Sequence, residues 1–169
     1  VLLPILGINT AIITIIAQNF GARNFERVKE AYFGAIKYAL IIMLICSVTV
    51  FIFSNHITSV FSNDPTVIEY GGKYLKISAF VLTAYPIFFL SNGFFMALKK
   101  SEYAMISNFF RNVLNPVTVF YFAKLYDASF AQFFWIWVII NWLFSTGYFL
   151  FTFNYMRLRL NKSAAVVNP

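Results

Sequence analysis

The side chains able to do chemistry are few, and they sit where polar groups are expensive. Asn108, Arg111, Asn112 and Asn115 fall at i, i+3, i+4 and i+7. On an α-helix that spacing gathers them on one face. An arginine in the middle of an apolar stretch costs about 2.5–3.5 kcal/mol on the insertion scale, so it must face protein or a water-filled cavity. Two readings stand for Arg111: part of a polar pathway or gate, or a structural donor tying helix ends together. Pro116 follows it and should bend the helix and free a carbonyl. Upstream, Gly7, Thr10, Thr14 and Gln18 recur at helical spacing. They suit either close helix packing through small residues or the wall of a cavity. Ser78, Tyr85 and Asn92 recur every seven residues with Pro86 between them. A kinked helix with one polar stripe is a common way to line a transport path, and a tyrosine ring can also face a cation. Asn141, Ser145, Tyr148 and Thr152 form a further stripe.

Other chemistries find little support. Cys46 is the only cysteine, so no disulfide within the chain can form, and it reads as a small buried hydrophobe. His56 is the only histidine and reads as a solvated loop residue, which leaves no multi-histidine metal site. All six acids, Glu26, Glu30, Asp64, Glu69, Glu102 and Asp127, lie outside the long apolar stretches or at their ends. The chain therefore supplies no buried carboxylate to bind a proton or sodium ion. A membrane-embedded enzyme would need a clustered acid, base or metal set, and none is legible. No cofactor is expected.

The elements that must position these residues follow from composition. Of 169 residues, 60% are hydrophobic and only 11% charged, and the mean hydropathy is +0.73. A soluble domain is about 45–50% apolar and about 25% charged. The solvent of this chain is therefore lipid. Stretches free of charge, or nearly so, cover 1–22, 38–63, 77–98, 103–123 and 128–156, the fourth broken only by Arg111. A span needs about 20 mostly apolar residues. The expectation is an all-α polytopic protein with five spanning helices at about 1–20, 33–54, 66–98, 103–124 and 129–155. Gly21 should end the first, Asn24 should cap a short helix before the second, and Asp64-Pro65 should start the third. The second span, nearly featureless, should face lipid. Trp135, Trp137 and Trp142 should form an interfacial belt.

The net charge of +7 would suggest nucleic acid in a soluble domain. Here it sorts by connection: Arg23, Arg27, Lys29, Lys37, Lys99, Lys100, Arg157, Arg159 and Lys162 on one side, Lys73, Lys76 and Lys124 on the other. No nucleic-acid partner is expected. The positive-inside rule places the richer side, and a tail at 161–169, in the cytoplasm. The chain opens on Val1 inside an apolar run, and it is expected to be a piece of a longer protein.

The connection Ala17-Gln18-Asn19-Phe20-Gly21-Ala22-Arg23 resembles the Gln-x-x-Gly-Ala signature of multidrug and toxic compound extrusion (MATE) transporters. Val60-Phe61-Ser62-Asn63-Asp64-Pro65 is similar to that family's external turn, and Tyr74-Leu75-Lys76-Ile77 to the helix after it. Phe110-Arg111-Asn112 with Pro116 is similar to its penultimate span. The departures are Phe95-Met96-Ala97-Leu98-Lys99, where a glycine-containing element is usual, and the absence of a carboxylate from 77–98. The resemblance implies twelve helices in two six-helix lobes. Residues 1–160 would be the second lobe without its first helix, in a multi-pass protein of the cell membrane, the inner membrane of a bacterium. It further implies antiport of amphiphilic or cationic compounds against protons or sodium ions, with the ion site in the first lobe, outside this chain. Thr10, Thr14, Tyr85, Asn92, Asn108, Arg111 and Asn115 would then line the substrate path, and Gln18, Gly21 and Ala22 carry the family motif. A flippase of lipid-linked sugars from the same superfamily is the alternative. It would want several buried cations for a pyrophosphate, and only Arg111 is offered.

Overall fold

The computed structural model describes residues 2–160, and only the backbone of residues 159 and 160. Val1, the Arg159 side chain and the tail at 161–169 with Lys162 lie outside the described residues.

Helix α1 runs Leu3–Gly21 and α2 Phe25–Ser59. Asn24 caps α2, its side-chain oxygen accepting from the Arg27 N–H at 3.3 Å. The short helix and the second span expected from the sequence are one rod of 35 residues, roughly 50 Å long at 1.5 Å per residue. It outreaches a bilayer core, so its charged first turns and its Asn55-His56 end protrude. Its outer face carries Ile41, Ile42, Leu44, Ile45 and Ile52, all exposed as lipid requires. The other face is not featureless. Ser47 Oγ donates to the Ala79 carbonyl at 2.7 Å. Gly71 and Gly72 let the next helix close onto Thr58 and Asn55, where a Cβ would collide with those side chains.

That next helix, α3, spans Pro65–Leu82 and starts as expected: Asp64 Oδ1 accepts from the Thr66 N–H at 2.8 Å, with Pro65 in the first turn. It stops because Pro86 has no N–H and its ring opposes the carbonyl four residues back, on Leu82. The chain bends by 43° and resumes as α4, Tyr85–Ala97. A second proline shapes the following rod. Helix α5, Ser101–Phe109, passes into one wide π-turn at Phe110–Leu114 and then into α6, Asn115–Leu125. The Asn115 N–H donates to Phe110, five residues back, just ahead of Pro116. Helix α7, Phe130–Tyr155, is the last long rod, and a π-turn segment Met156–Leu160 ends the described chain.

Among the described residues, α1, α2 and the Phe130–Leu158 rod are each long and apolar enough to cross a membrane, and the bent α3–α4 pair qualifies as one further crossing. The ends of the bundle differ in charge. Tyr155 meets Phe94, Phe95 and Tyr103 by ring contacts, which gathers the Arg23, Lys99 and Arg157 ends together. Tyr70 meets Phe130 at the opposite end, near Lys73 and Lys124. The larger apolar core, with Ile16, Val28, Tyr32 and Phe94, lies toward the basic end; a smaller one joins Ile77, Val81 and Val138.

Three connections turn on residues in the left-handed region: Arg23, Lys99 and Asp127, with φ of 57°, 56° and 43°. Gly21 is the last residue of α1, as expected, with ordinary φ, and the left-handed turn follows two residues later on Arg23. Each connection closes with a paired main-chain motif; at Lys99 its N–H reaches the Met96 carbonyl at 3.1 Å and the Lys100 N–H reaches Phe95 at 2.9 Å. A side chain in that region costs roughly 1–2 kcal/mol that glycine avoids. Lys99→Gly should therefore raise stability by about 1 kcal/mol, measured as a higher thermal midpoint in detergent.

Candidate functional site: an arginine on an aromatic face

The π-turn decides which side chains of the fourth rod face inward. Straight α-helical spacing would put Asn108, Arg111, Asn112 and Asn115 on one face. One widened turn changes the register, and the inward positions are Ala104, Ser107, Arg111, Asn115 and Val119, steps of three and then four. Asn108 and Asn112 are exposed, Arg111 is half-buried, and Asn115 is 6% exposed. The four-residue stripe is thus corrected to Arg111 and Asn115, with Ser107 added.

Arg111 meets the first turns of α4 at the point where the broken span resumes. Its guanidinium carbon lies 4.3 Å from the centre of the Phe88 ring, 4.8 Å from Tyr85 and 5.0 Å from Phe89. These three sit at i, i+3 and i+4, one patch of a helix surface. No carboxylate among the described residues pairs with the cation. Ring faces stabilise it by about 0.5–2 kcal/mol, which offsets part of the cost of its insertion. Asn115 Oδ1 is buried without a hydrogen-bond partner among the described residues, and so is Ser78 Oγ.

Aromatic cavities flank this cluster toward the less basic end. One of about 260 Å³ is lined by Tyr74, Ser78, Leu82, Tyr85 and Trp137 among others. A neighbour of about 240 Å³ shares Tyr74 and Trp137 and reaches Pro116, next to Asn115. A groove of about 530 Å³ opens between α5 and α7, walled by Tyr103, Phe110, Phe144 and Phe151.

The remaining expected residues divide. Asn92 is 6% exposed, and its Oδ1 accepts from Ser107 Oγ at 2.7 Å and Tyr148 Oη at 3.1 Å. It knots α4, α5 and α7 together and opens on no cavity described above. Beside it Ser91 Oγ donates to the Ile87 carbonyl and pairs with Tyr32 Oη at 2.8 Å. The stripe Asn141, Ser145, Tyr148 and Thr152 is buried as its spacing implied. Thr10 and Thr14 are exposed on α1, their hydroxyls turned back to the Leu6 and Thr10 carbonyls; Gln18, Gly21 and Ala22 are exposed too. Gly7 has open space around it, so that stripe packs against no described helix. The tryptophans expected to form a belt also serve the bundle itself. Trp142 Nε1 donates to the Phe80 carbonyl at 2.9 Å, supplying a partner where the helix break interrupts the α3 ladder. Trp137 packs with the smaller core, and only Trp135 is substantially exposed. Phe88, Phe89, Ser107 and Tyr32 escaped the sequence reading. The first two were within reach of it, because an unpaired intramembrane cation needs rings.

With this geometry in place, the comparisons decide the family. The MatE family model matches residues 1–121. The chain belongs to the MatE family. The Staphylococcus aureus (strain N315) multidrug export protein MepA is 29% identical over 104 residues, 62% of this chain and 23% of MepA. The FAD transporter of Shewanella oneidensis is 28% identical over 76 residues, 45% of this chain and 17% of that protein. An inward-facing multidrug resistance MATE transporter of the MOP superfamily superposes with a TM-score of 0.86 at 23% identity, over 97% of this chain and 37% of that one. The chain thus spans well under half the length of the relatives it matches. MatE proteins are integral membrane transporters rather than enzymes, and this chain is all-α in keeping with them.

The Ser107 and Tyr148 hydroxyls meet at Asn92 Oδ1, although Ser107 Oγ also donates to the Ala104 carbonyl at 3.0 Å. Asn92→Leu should cost about 1–3 kcal/mol, because both lose a buried partner. Asn112→Leu, on the exposed face, should stay within about 0.5 kcal/mol. Thermal unfolding of the purified variants in detergent checks both.

Proposed function

We propose that this MatE chain is the larger part of the second lobe of a secondary active exporter. In that reading five helical rods cross the membrane, the fourth being α5–α6 with its π-turn. The exporter moves amphiphilic aromatic compounds, cationic drugs among them, outward by alternating access against protons or sodium ions. The observation that carries it is the Arg111 cluster: a charge without a carboxylate and neutral polar atoms without partners among the described residues, beside aromatic cavities and set where two helices are interrupted. Interrupted helices facing a cavity are where transporters bind their cargo.

Tyr85, Arg111 and Asn115 form the inner part of the substrate path, with Ser78 on its wall. Thr10, Thr14 and Asn108 belong to the exposed surface that faces the rest of the transporter. Asn92 acts on the path only through the helices it ties together. The coupling ion binds outside this chain, a reading supported by the absence of acids from its apolar stretches. The relatives' names give FAD and drugs as cargo, and these share an aromatic body. The basic end, with Lys99 and Lys100, lies in the cytoplasm of a bacterial cell, as the asymmetry of basic residues favours.

Two experiments test the reading. In full-length protein with Cys46→Ser, a membrane-impermeant maleimide added to intact cells should label Asn63→Cys at once and Lys100→Cys only after lysis. The reverse pattern would overturn the orientation. At equal expression, Arg111→Ala should lower export of at least one amphiphilic dye at least tenfold while the protein still inserts. Undiminished export would remove Arg111 from the path.

A further inference from the structure

The sign of the charge in the cluster narrows the cargo, given that the export reading holds. We propose that the Arg111 cage receives an anionic group, a carboxylate or a phosphate, carried on an aromatic body.

Three observations lead there. The guanidinium rests on the Phe88, Tyr85 and Phe89 rings and on no carboxylate of the described residues. An arginine stacked on rings keeps its planar fork of N–H donors, which matches an oxyanion two bonds at a time. The polar neighbours, Tyr85 and Asn115, are uncharged at neutral pH and do not offset it. The six acids sit in the connections or near helix ends. A cationic cargo entering here would meet like charge in a poorly screened site, whereas an anion would supply the missing counter-charge. The rest of the cage suits the rest of such a molecule. The Tyr85 ring borders both the arginine and the cavity of about 260 Å³ with Tyr74 and Trp137, so an aromatic body can lie against rings while its anionic end reaches Arg111.

The test uses two xanthene dyes of similar skeleton and opposite charge, fluorescein and rhodamine 6G, with the full-length protein in proteoliposomes and direct binding followed by fluorescence anisotropy. The wild type should bind and export fluorescein. Arg111→Gln should lower the ratio of fluorescein to rhodamine 6G affinity at least tenfold. Arg111→Met, apolar and close in volume, gives the same comparison if the glutamine variant does not fold. Arg111→Lys should keep part of the preference, having the charge without the fork. A ratio that neither neutral variant changes would overturn the proposal, as would equal loss of both dyes in a folded variant. Export of rhodamine 6G with no binding of fluorescein would overturn the anionic subsite and leave the export reading standing. Export of neither dye, with fluorescein still bound through Arg111, would instead sink the export reading.

Discussion

Lipid offers no hydrogen bonds, so a spanning helix that breaks must find replacements for the bonds it loses. This constraint organises the molecule. Pro86 interrupts one rod and Pro116 disturbs the next. At the first break the Trp142 indole serves the Phe80 carbonyl. At the second the ladder reaches one residue further, and the Asn115 N–H finds Phe110. Both repairs bring something with them: the first draws α7 against α3, and the second swings Arg111 onto the turn that follows the first break.

The polar interior then separates into two layers with different work. Near the larger core, Asn92, Ser107, Tyr148, Ser91 and Tyr32 satisfy one another and clamp α2, α4, α5 and α7. Toward the other end, Asn115 and Ser78 are left with unmatched atoms among the described residues, and Arg111 meets ring faces and the Tyr85 hydroxyl but no carboxylate; Asn9, against Gly93, and Ser54 are unmatched as well. A satisfied network rigidifies, whereas unmatched buried groups are costly unless something else completes them. The clamped layer holds the arrangement, and the incomplete layer is where a ligand has something to offer.

Much of this was legible from residue types alone. The apolar stretches announced lipid, Asp64-Pro65 and Asn24 marked real helix starts, and the α7 stripe pointed inward as its spacing said. The failures share a cause. Spacing arguments assume 3.6 residues per turn, and one π-turn was enough to send Asn112 outside, while Asn108 sits ahead of it on the exposed side of α5. The tryptophans suit an interface by residue type, but Trp142 Nε1 joins the Thr83 hydroxyl on the Phe80 carbonyl, a bond that no sequence pattern displays. Gly21 does close α1, but the left-handed residue of the turn after it is Arg23, which no sequence pattern singles out. Thr10 and Thr14 face away from every described helix, so their partners could not be read from this stretch of chain.

The wide turn at Phe110–Leu114 also bears on how this stretch can change over generations. It holds one residue more than an ordinary helical turn would. Losing exposed Asn112 or Val113 would restore regular winding and leave the rest of the rod facing as it does now, because the wide turn takes up one extra residue in about one revolution. Asn115 and Val119 would stay inward, drawn about 1.5 Å along the axis. This segment should therefore tolerate a change in length as well as in spelling at its exposed positions.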